Sequence, residues 1–329
     1  MGGNALSVPS KRVSREEYFE IEDVILTHFM QHGIFTLYAP AQFTDKESFG
    51  DIDLVISSAY DKAYVEQTIR KISDELVKNG PTWSFNYNGF QVDFVFSKNP
   101  DYTANWMCYG DSANVAGRIL HKLGMKHGHE ELYLPVWYDD TFVGDVSLSD
   151  NLIDVYKFID LDTTWWETQR VPANPTEVFE WVSKSKYFNP DIYLFDNRNA
   201  KARYRDSKRP MYTALLEWCE KHAATLNRFE FSKDKSVYLP LIFEAFPHAK
   251  VQYDRLIEHG KHNKAVRVAT QEKANSKFIM ELTALTGKEL GAFIRNVWEN
   301  IPVETLLSES KEDIHLKIKH LWDNYVPRV

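Results

Sequence analysis

Seven residues near the front of the chain constrain it most. In Gly50-Asp51-Ile52-Asp53-Leu54-Val55-Ile56, acids and apolar residues alternate before an apolar run. A period of two puts Asp51 and Asp53 on one face of a strand, with Ile52 and Leu54 on the other. Such a strand belongs in a sheet with one packed face and one polar face. Two carboxylates this close repel unless a cation lies between them, and Gly50 lets a backbone or ligand approach. A second strand, Gln91-Val92-Asp93-Phe94-Val95-Phe96, carries an acid among apolar neighbours. Paired beside the first, it brings three carboxylates together. These are hard oxygen ligands suited to Mg²⁺, and two ions about 4 Å apart would clamp an in-line phosphoryl or nucleotidyl transfer. An exposed Asp-x-Asp strand end is the plainer reading of the pair alone.

Around these strands the chain reads as an α+β head of residues 1–165 followed by a helical body of residues 166–329. Ser14 and Glu17 fit a capping box. Tyr18, Ile21, Ile25 and Phe29 then fall on one helical face, and Gly33 offers a stop. Residues 34–38 read as a strand, 61–78 as a helix, and Asn88-Gly89 as a hairpin turn into the strand at 90–96. Ser112 can cap a helix to about residue 123, and 143–148 is a short strand. Beyond, helices are expected at 150–159, 175–183, 211–227, 239–260, 261–285, 288–300 and 311–325.

Composition excludes several classes. Forty-six aromatics and 43% apolar residues supply packed cores, so the chain is not disordered. Two cysteines, Cys108 and Cys219, cannot form a disulfide framework or a Cys-rich zinc site and point to a reducing compartment. No window reads as a membrane span, and MGGNALSVPS lacks the cationic start and apolar run of a secretory signal. A cytoplasmic protein with no membrane and no stable protein partner is expected. The net charge of −8 disfavours general nucleic-acid stickiness but allows a local basic groove.

The order helix, strand, loop, Gly-Asp-x-Asp and hairpin strand with a third Asp resembles the nucleotidyltransferase superfamily typified by DNA polymerase β, over roughly residues 14–100. The resemblance implies a small mixed-sheet, palm-like catalytic head and an NTP substrate. Asp51 and Asp53 would bind two Mg²⁺ ions. Asp93 would bind the catalytic one and help deprotonate the attacking hydroxyl. One departure stands out. Where the superfamily carries Gly-Ser or Gly-Gly before the first Asp, this chain has Tyr38-Ala39-Pro40-Ala41, and Pro40 lacks an N–H.

A Gly-Gly does stand at the start. The opening MGGNA, the segment from Ser48 and Gly50 to Asp53, and Lys126-His127-Gly128-His129 are together similar to an uncharacterised nucleotidyltransferase-like group from phages and fungi. That similarity implies that Gly2, Gly3 and Asn4 fold back to offer backbone donors to a triphosphate, and that the protein acts in a phage host's cytoplasm. A frayed terminus is the alternative.

Asn114, Arg118 and Lys122 repeat every four residues on one helical face. In related enzymes a cation after the third carboxylate meets the triphosphate, which implicates Arg118, Lys122 and Lys126; a solvated face is the bland reading. Arg198, Lys201, Arg203, Arg205, Lys208 and Arg209 cluster against one acid, Asp206, with Tyr193, Phe195 and Tyr204 nearby. Cations suit phosphates, and aromatics stack on unpaired bases. A second basic stretch spans 261–277. Residues 282–294 resemble a short element in the tail of tRNA CCA-adding enzymes.

Together these readings predict a Mg²⁺-dependent transferase that moves NMP from NTP to the 3′ hydroxyl of an RNA such as tRNA, releasing pyrophosphate. A protein side chain or small molecule as acceptor stays open, as does an inactive nucleotide- or RNA-binding module.

Overall fold

Ser14 begins the first long helix. In the computed structural model, which describes residues 5–7 and 9–325, Val13–Ser14 (β1) leads into Arg15–Gln31 (α1). The Ser14 Oγ accepts from the Glu17 N–H at 3.2 Å. This is half of the expected capping box, because the Glu17 carboxylate pairs with Lys11 at 2.7 Å instead. Tyr18, Ile21, Ile25 and Phe29 form the buried stripe, as their spacing predicts.

The head continues through Leu37–Tyr38 (β2), Ser48–Phe49 (β3), Asp51–Ser57 (β4), Lys62–Ile69 (α2), Leu76–Asn79 (β5), Thr82–Tyr87 (β6) and Phe90–Ser97 (β7). Five of these strands form a mixed sheet in the order β2-β4-β7-β6-β5. β4 and β7 run parallel, and the other neighbours are antiparallel. β1 pairs with β3 in a separate two-stranded ladder. The helix expected over 61–78 ends at Ile69. The Ser73 hydroxyl bonds both the N–H and the carbonyl of Glu75, a local bond that competes with helix, and the chain turns into the edge strand β5.

Next come Pro100–Met107 (α3), Ser112–Lys122 (α4), Lys126–His127 (β8), Leu132–Tyr138 (β9), Thr141–Ser149 (β10), Leu152–Phe158 (α5), Thr164–Glu167 (α6) and Pro175–Ser183 (α7). β10, β9 and β8 form a three-stranded sheet. Of this stretch, α3, α6, β8 and β9 escaped the sequence reading. The rest is helical: Ala200–Asp206 (α8), Pro210–Lys221 (α9), Leu239–Ala245 (α10), Ala249–Lys273 (α11), Ser276–Thr283 (α12), Gly287–Asn300 (α13), Val303–Ser308 (α14) and Lys311–Asp323 (α15). The breaks differ from those expected. Pro247 separates α10 from α11, and the chain runs through residue 260 as one helix until Asn275 caps α12. The fold class is α+β, with a mixed-sheet head followed by helices.

Contacts divide the chain into two compact units. The first comprises residues 1–135 and 145–250, so a boundary near 165 falls inside it; the second comprises 136–144 and 251–329. In the first, Ile52, Leu54 and Ile56 of β4 lie beside Val92, Phe94 and Phe96 of β7 in register. Tyr18, Ile25 and Phe29 of α1 and Val65 and Ile69 of α2 join them in one apolar core, each large side chain contributing about 1.5–3 kcal/mol by leaving water. The second unit has its own core around Ile279, Phe293, Val297, Ile314 and Ile318.

Candidate active site

The other face of the same sheet carries the acids. β4 and β7 are in parallel register, with Asp53 opposite Asp93 and Asp51 opposite Gln91. Side chains alternate, so Asp51, Asp53, Gln91 and Asp93 share the face turned away from the α1 core. β6 adds Ser84 opposite Asp93. Farther along, α3 packs on β2, β4 and β7, and Val55 is fully buried. The apolar half of this face is thus covered, and Asp51 and Asp53 remain half-buried at its start.

Crowding of like charge marks the site. Burial, together with the neighbouring Asp51 and Asp93 carboxylates, pushes Asp53 up to about 7 against the pull of Lys46. Burial also raises Asp93, while hydrogen bonds from Ser84 and Gln91 lower it. The Gln91 Nε2 lies 2.9 Å from both Asp93 oxygens, and its Oε1 accepts from the Ala5 N–H at 2.9 Å. Lys46 is held near the acids by Gln42, to which it donates at 2.8 Å, and by the Phe49 ring, 4.4 Å from its ammonium. Burial lowers its pKa, while Asp51 and Asp53 act to raise it.

Would these residues suit the metal that the carboxylates imply? The donor chemistry fits, because Asp51 and Asp53 offer hard oxygens and an excess of negative charge that a divalent ion would offset. The arrangement fits only in part. Among the described residues, no group of three or more His, Cys, Asp or Glu is arranged as it stands to hold an ion. Asp93 would have to exchange the Gln91 amide for the metal.

The other expected residues are dispersed. Gly2, Gly3 and Asn4 lie outside the described residues. Ser48 sits in β3 and accepts from Arg12, its Oγ 2.8 Å from Nη2; Gly50 joins β3 to β4. Lys126 pairs with Asp145 at 2.6 Å. Arg118 donates to the Ile192 carbonyl at 3.0 Å. Its charged neighbours, like those of Lys122, include Arg198 and none of the three acids. His127 lies in β8. Its Nδ1 lies 3.1 Å from the Ala113 carbonyl among the rings of Tyr102, Trp106 and Tyr156, and burial lowers it to about 4.

The basic cluster is less uniform than its sequence. Arg198 is buried, paired with Asp206 and donating to the Tyr212 hydroxyl at 3.2 Å. Arg209 pairs with Asp111, and Lys208 donates to the Tyr204 hydroxyl. Lys201, Arg203, Arg205 and Lys208 are exposed on and just after α8, as is Tyr204. Tyr193 is buried and donates to Val115, so its ring is not open to a base; Phe195 is half-buried and stacks on Tyr212. In the second unit, Lys261, Lys264 and Lys273 are held by Glu258, Asp139 and the carbonyls of Leu306 and Glu309. Residues 282–294 contribute Leu282, Leu285, Leu290 and Phe293 to that unit's core.

Sequence reasoning missed Gln91 and Lys46. Gln91 stands two residues before Asp93, so strand periodicity placed it on the acidic face. Lys46 lies in a loop, where no periodicity applies.

No family model matches the chain, and no curated protein matches it. Among solved structures it is similar to Leishmania infantum polymerase beta in a ternary gap complex, at 11% identity and a TM-score of 0.33, over 52% of this chain and 67% of that one. Among the described residues, no helix is long and apolar enough to cross a membrane.

Proposed function

We propose that the chain is a Mg²⁺-dependent nucleotidyltransferase. The observation that carries this reading is the register of β4 and β7, which sets Asp53 beside Asp93 and puts Asp51 on the same face. Asp51 and Asp53 would hold two ions, joined by Asp93 once Gln91 lets go. Bound there, Mg²⁺ would supply charge neutralisation at the phosphoryl oxygens. Lys46, which faces Asp51 and Asp53, takes the triphosphate role in place of Arg118, Lys122 and Lys126. Asp93 accepts the proton of the acceptor hydroxyl. That oxygen bonds to the α-phosphorus as the bond to the bridging oxygen breaks, and pyrophosphate leaves. Burial raises the proton affinity of Asp93, which suits a base.

The acceptor in this reading is an RNA 3′ end, tRNA among the candidates. The exposed cations Lys201, Arg203, Arg205 and Lys208 around Tyr204 support it. The test is transfer of label from each α-labelled NTP to total RNA, purified tRNA, protein or no acceptor. Label on RNA, lost in Asp51→Asn/Asp53→Asn, is expected. Label on protein or a small molecule would move the acceptor and keep the chemistry.

A second reading has its own observation. The Gln91 amide engages both Asp93 oxygens, as in a site that binds nucleotide or RNA without turnover. That reading predicts no pyrophosphate release with any acceptor.

A further inference from the structure

Four cations from three segments of the chain meet at the C-terminal end of α4. Arg118 and Lys122 lie one helical turn apart on α4. Arg198 precedes α8, and Lys235 comes from a turn between α9 and α10. All four belong to the first compact unit. Lys235 donates to the His121 carbonyl, which fixes its ammonium at the helix end. Arg198 uses its two terminal nitrogens on Tyr212 and Asp206, and Arg118 uses one on Ile192. The Nε of Arg118 and the Nε of Arg198 are buried without a partner. The acid facing the group, Asp206, is shared between Arg198 and Arg205.

Helix C-terminal carbonyls attract cations, and that accounts for Lys235. It does not account for two guanidiniums with open donors beside two ammoniums. Like charges held together cost free energy unless an anion joins them. The mutual effect is visible. Burial and the neighbouring cations lower the pKa of Arg118, Lys122 and Lys235, and lower His121 to about 4.

We propose that Arg118, Lys122, Arg198 and Lys235 form a phosphate-binding site for the backbone of a nucleic-acid strand. The choice of a strand over a nucleotide's tail rests on continuity. Arg203 donates to the Arg198 carbonyl at 3.3 Å and Arg205 shares Asp206 with Arg198, so exposed cations on α8 extend the charge outward from Arg198. The inference deepens the acceptor reading above and rests on it.

The test is fluorescence anisotropy of a short single-stranded RNA with the full chain at several salt concentrations, tripolyphosphate serving as the competing probe. Lys122→Gln/Lys235→Gln is expected to weaken RNA binding about tenfold and to flatten the salt dependence by one to two phosphate contacts, a slope change of about 1 per contact. Lys235→Arg, which keeps the positive charge, is expected to bind as the wild type does. Asp51→Asn/Asp53→Asn is expected to leave this binding in place. Unchanged RNA affinity in a folded double-glutamine variant overturns the proposal and leaves the acceptor reading standing. A wild type that binds no RNA overturns both. Tripolyphosphate bound more tightly than RNA overturns the assignment to a strand.

Discussion

Asp53 concentrates the chemistry of this chain in one side chain. Its pKa stands at about 7, above the ordinary 3.8. A carboxyl raised in the folded state keeps its proton there while the unfolded chain has lost it. Asp53 therefore favours the folded state most at low pH, and that contribution is lost as pH rises from about 4 to about 7. His127, lowered to about 4, has the opposite slope, because the unfolded chain binds its proton first as pH falls below about 6.5. The difference between wild type and Asp53→Asn isolates the acid. Without metal, Asp53→Asn is expected to be the more stable protein at pH 8, by about 2 kcal/mol, and to lose that advantage near pH 4; urea denaturation at the two pH values checks both. Mg²⁺ should raise the melting temperature of the wild type more at pH 8 than at pH 5, since protons compete for the same oxygens. A second residue-scale expectation concerns Gln91. If its amide only restrains Asp93, Gln91→Ala should keep turnover and tighten metal affinity. If turnover falls about a hundredfold, Gln91 positions Asp93 for the base role.

At the scale of elements, strand register does most to build the site. Period-two alternation made β4, β7 and the common face of Asp51, Asp53 and Asp93 legible before any coordinates. The stripe on α1 and the Ser14 cap were legible too, and Ser14→Ala should cost about 1 kcal/mol in thermal unfolding. The rest depended on tertiary neighbours. β5 was hidden inside a helical pattern because four residues on a sheet edge carry little periodic signal. Lys46 gained its role from a loop that Gln42 and Phe49 hold in place. Arg198 read as a surface cation, and Asp206 drew it inside. Within α11 an ordinary rule inverts. A helical Gly→Ala change usually stabilises by up to about 1 kcal/mol. At Gly260 a Cβ would come within 2.5 Å of the Tyr138 Cβ and 3.1 Å of Val143. Gly260→Ala is expected to destabilise by about 1–3 kcal/mol, read as a lowered melting temperature.

For the whole molecule, the account rests on three carboxylates acting together. A protein with a net charge of −8 sets three of its 47 acids on one sheet face, with Lys46 beside them, and carries further cations elsewhere: Arg118 and Lys122 on α4, and Lys201 and Arg203 on α8. That separation suits a chain that meets two polyanions, a nucleotide and an acceptor strand. Transfer activity should therefore respond in two distinct ways. Asp51→Asn/Asp53→Asn should cut kcat about a thousandfold or more, whereas Lys201→Gln/Arg203→Gln should raise the KM for the acceptor several-fold with kcat little changed.

Metal binding tests the central claim most directly. Mn²⁺ can stand in for Mg²⁺ and be followed by electron paramagnetic resonance as it is titrated into the full chain with and without NTP. The account predicts saturable binding that NTP strengthens, weakened at least about tenfold by Asp53→Asn and shifted to higher Mn²⁺ as pH falls below about 7. Equal Mn²⁺ binding by wild type and Asp51→Asn/Asp53→Asn, or none by either with NTP present, would contradict it.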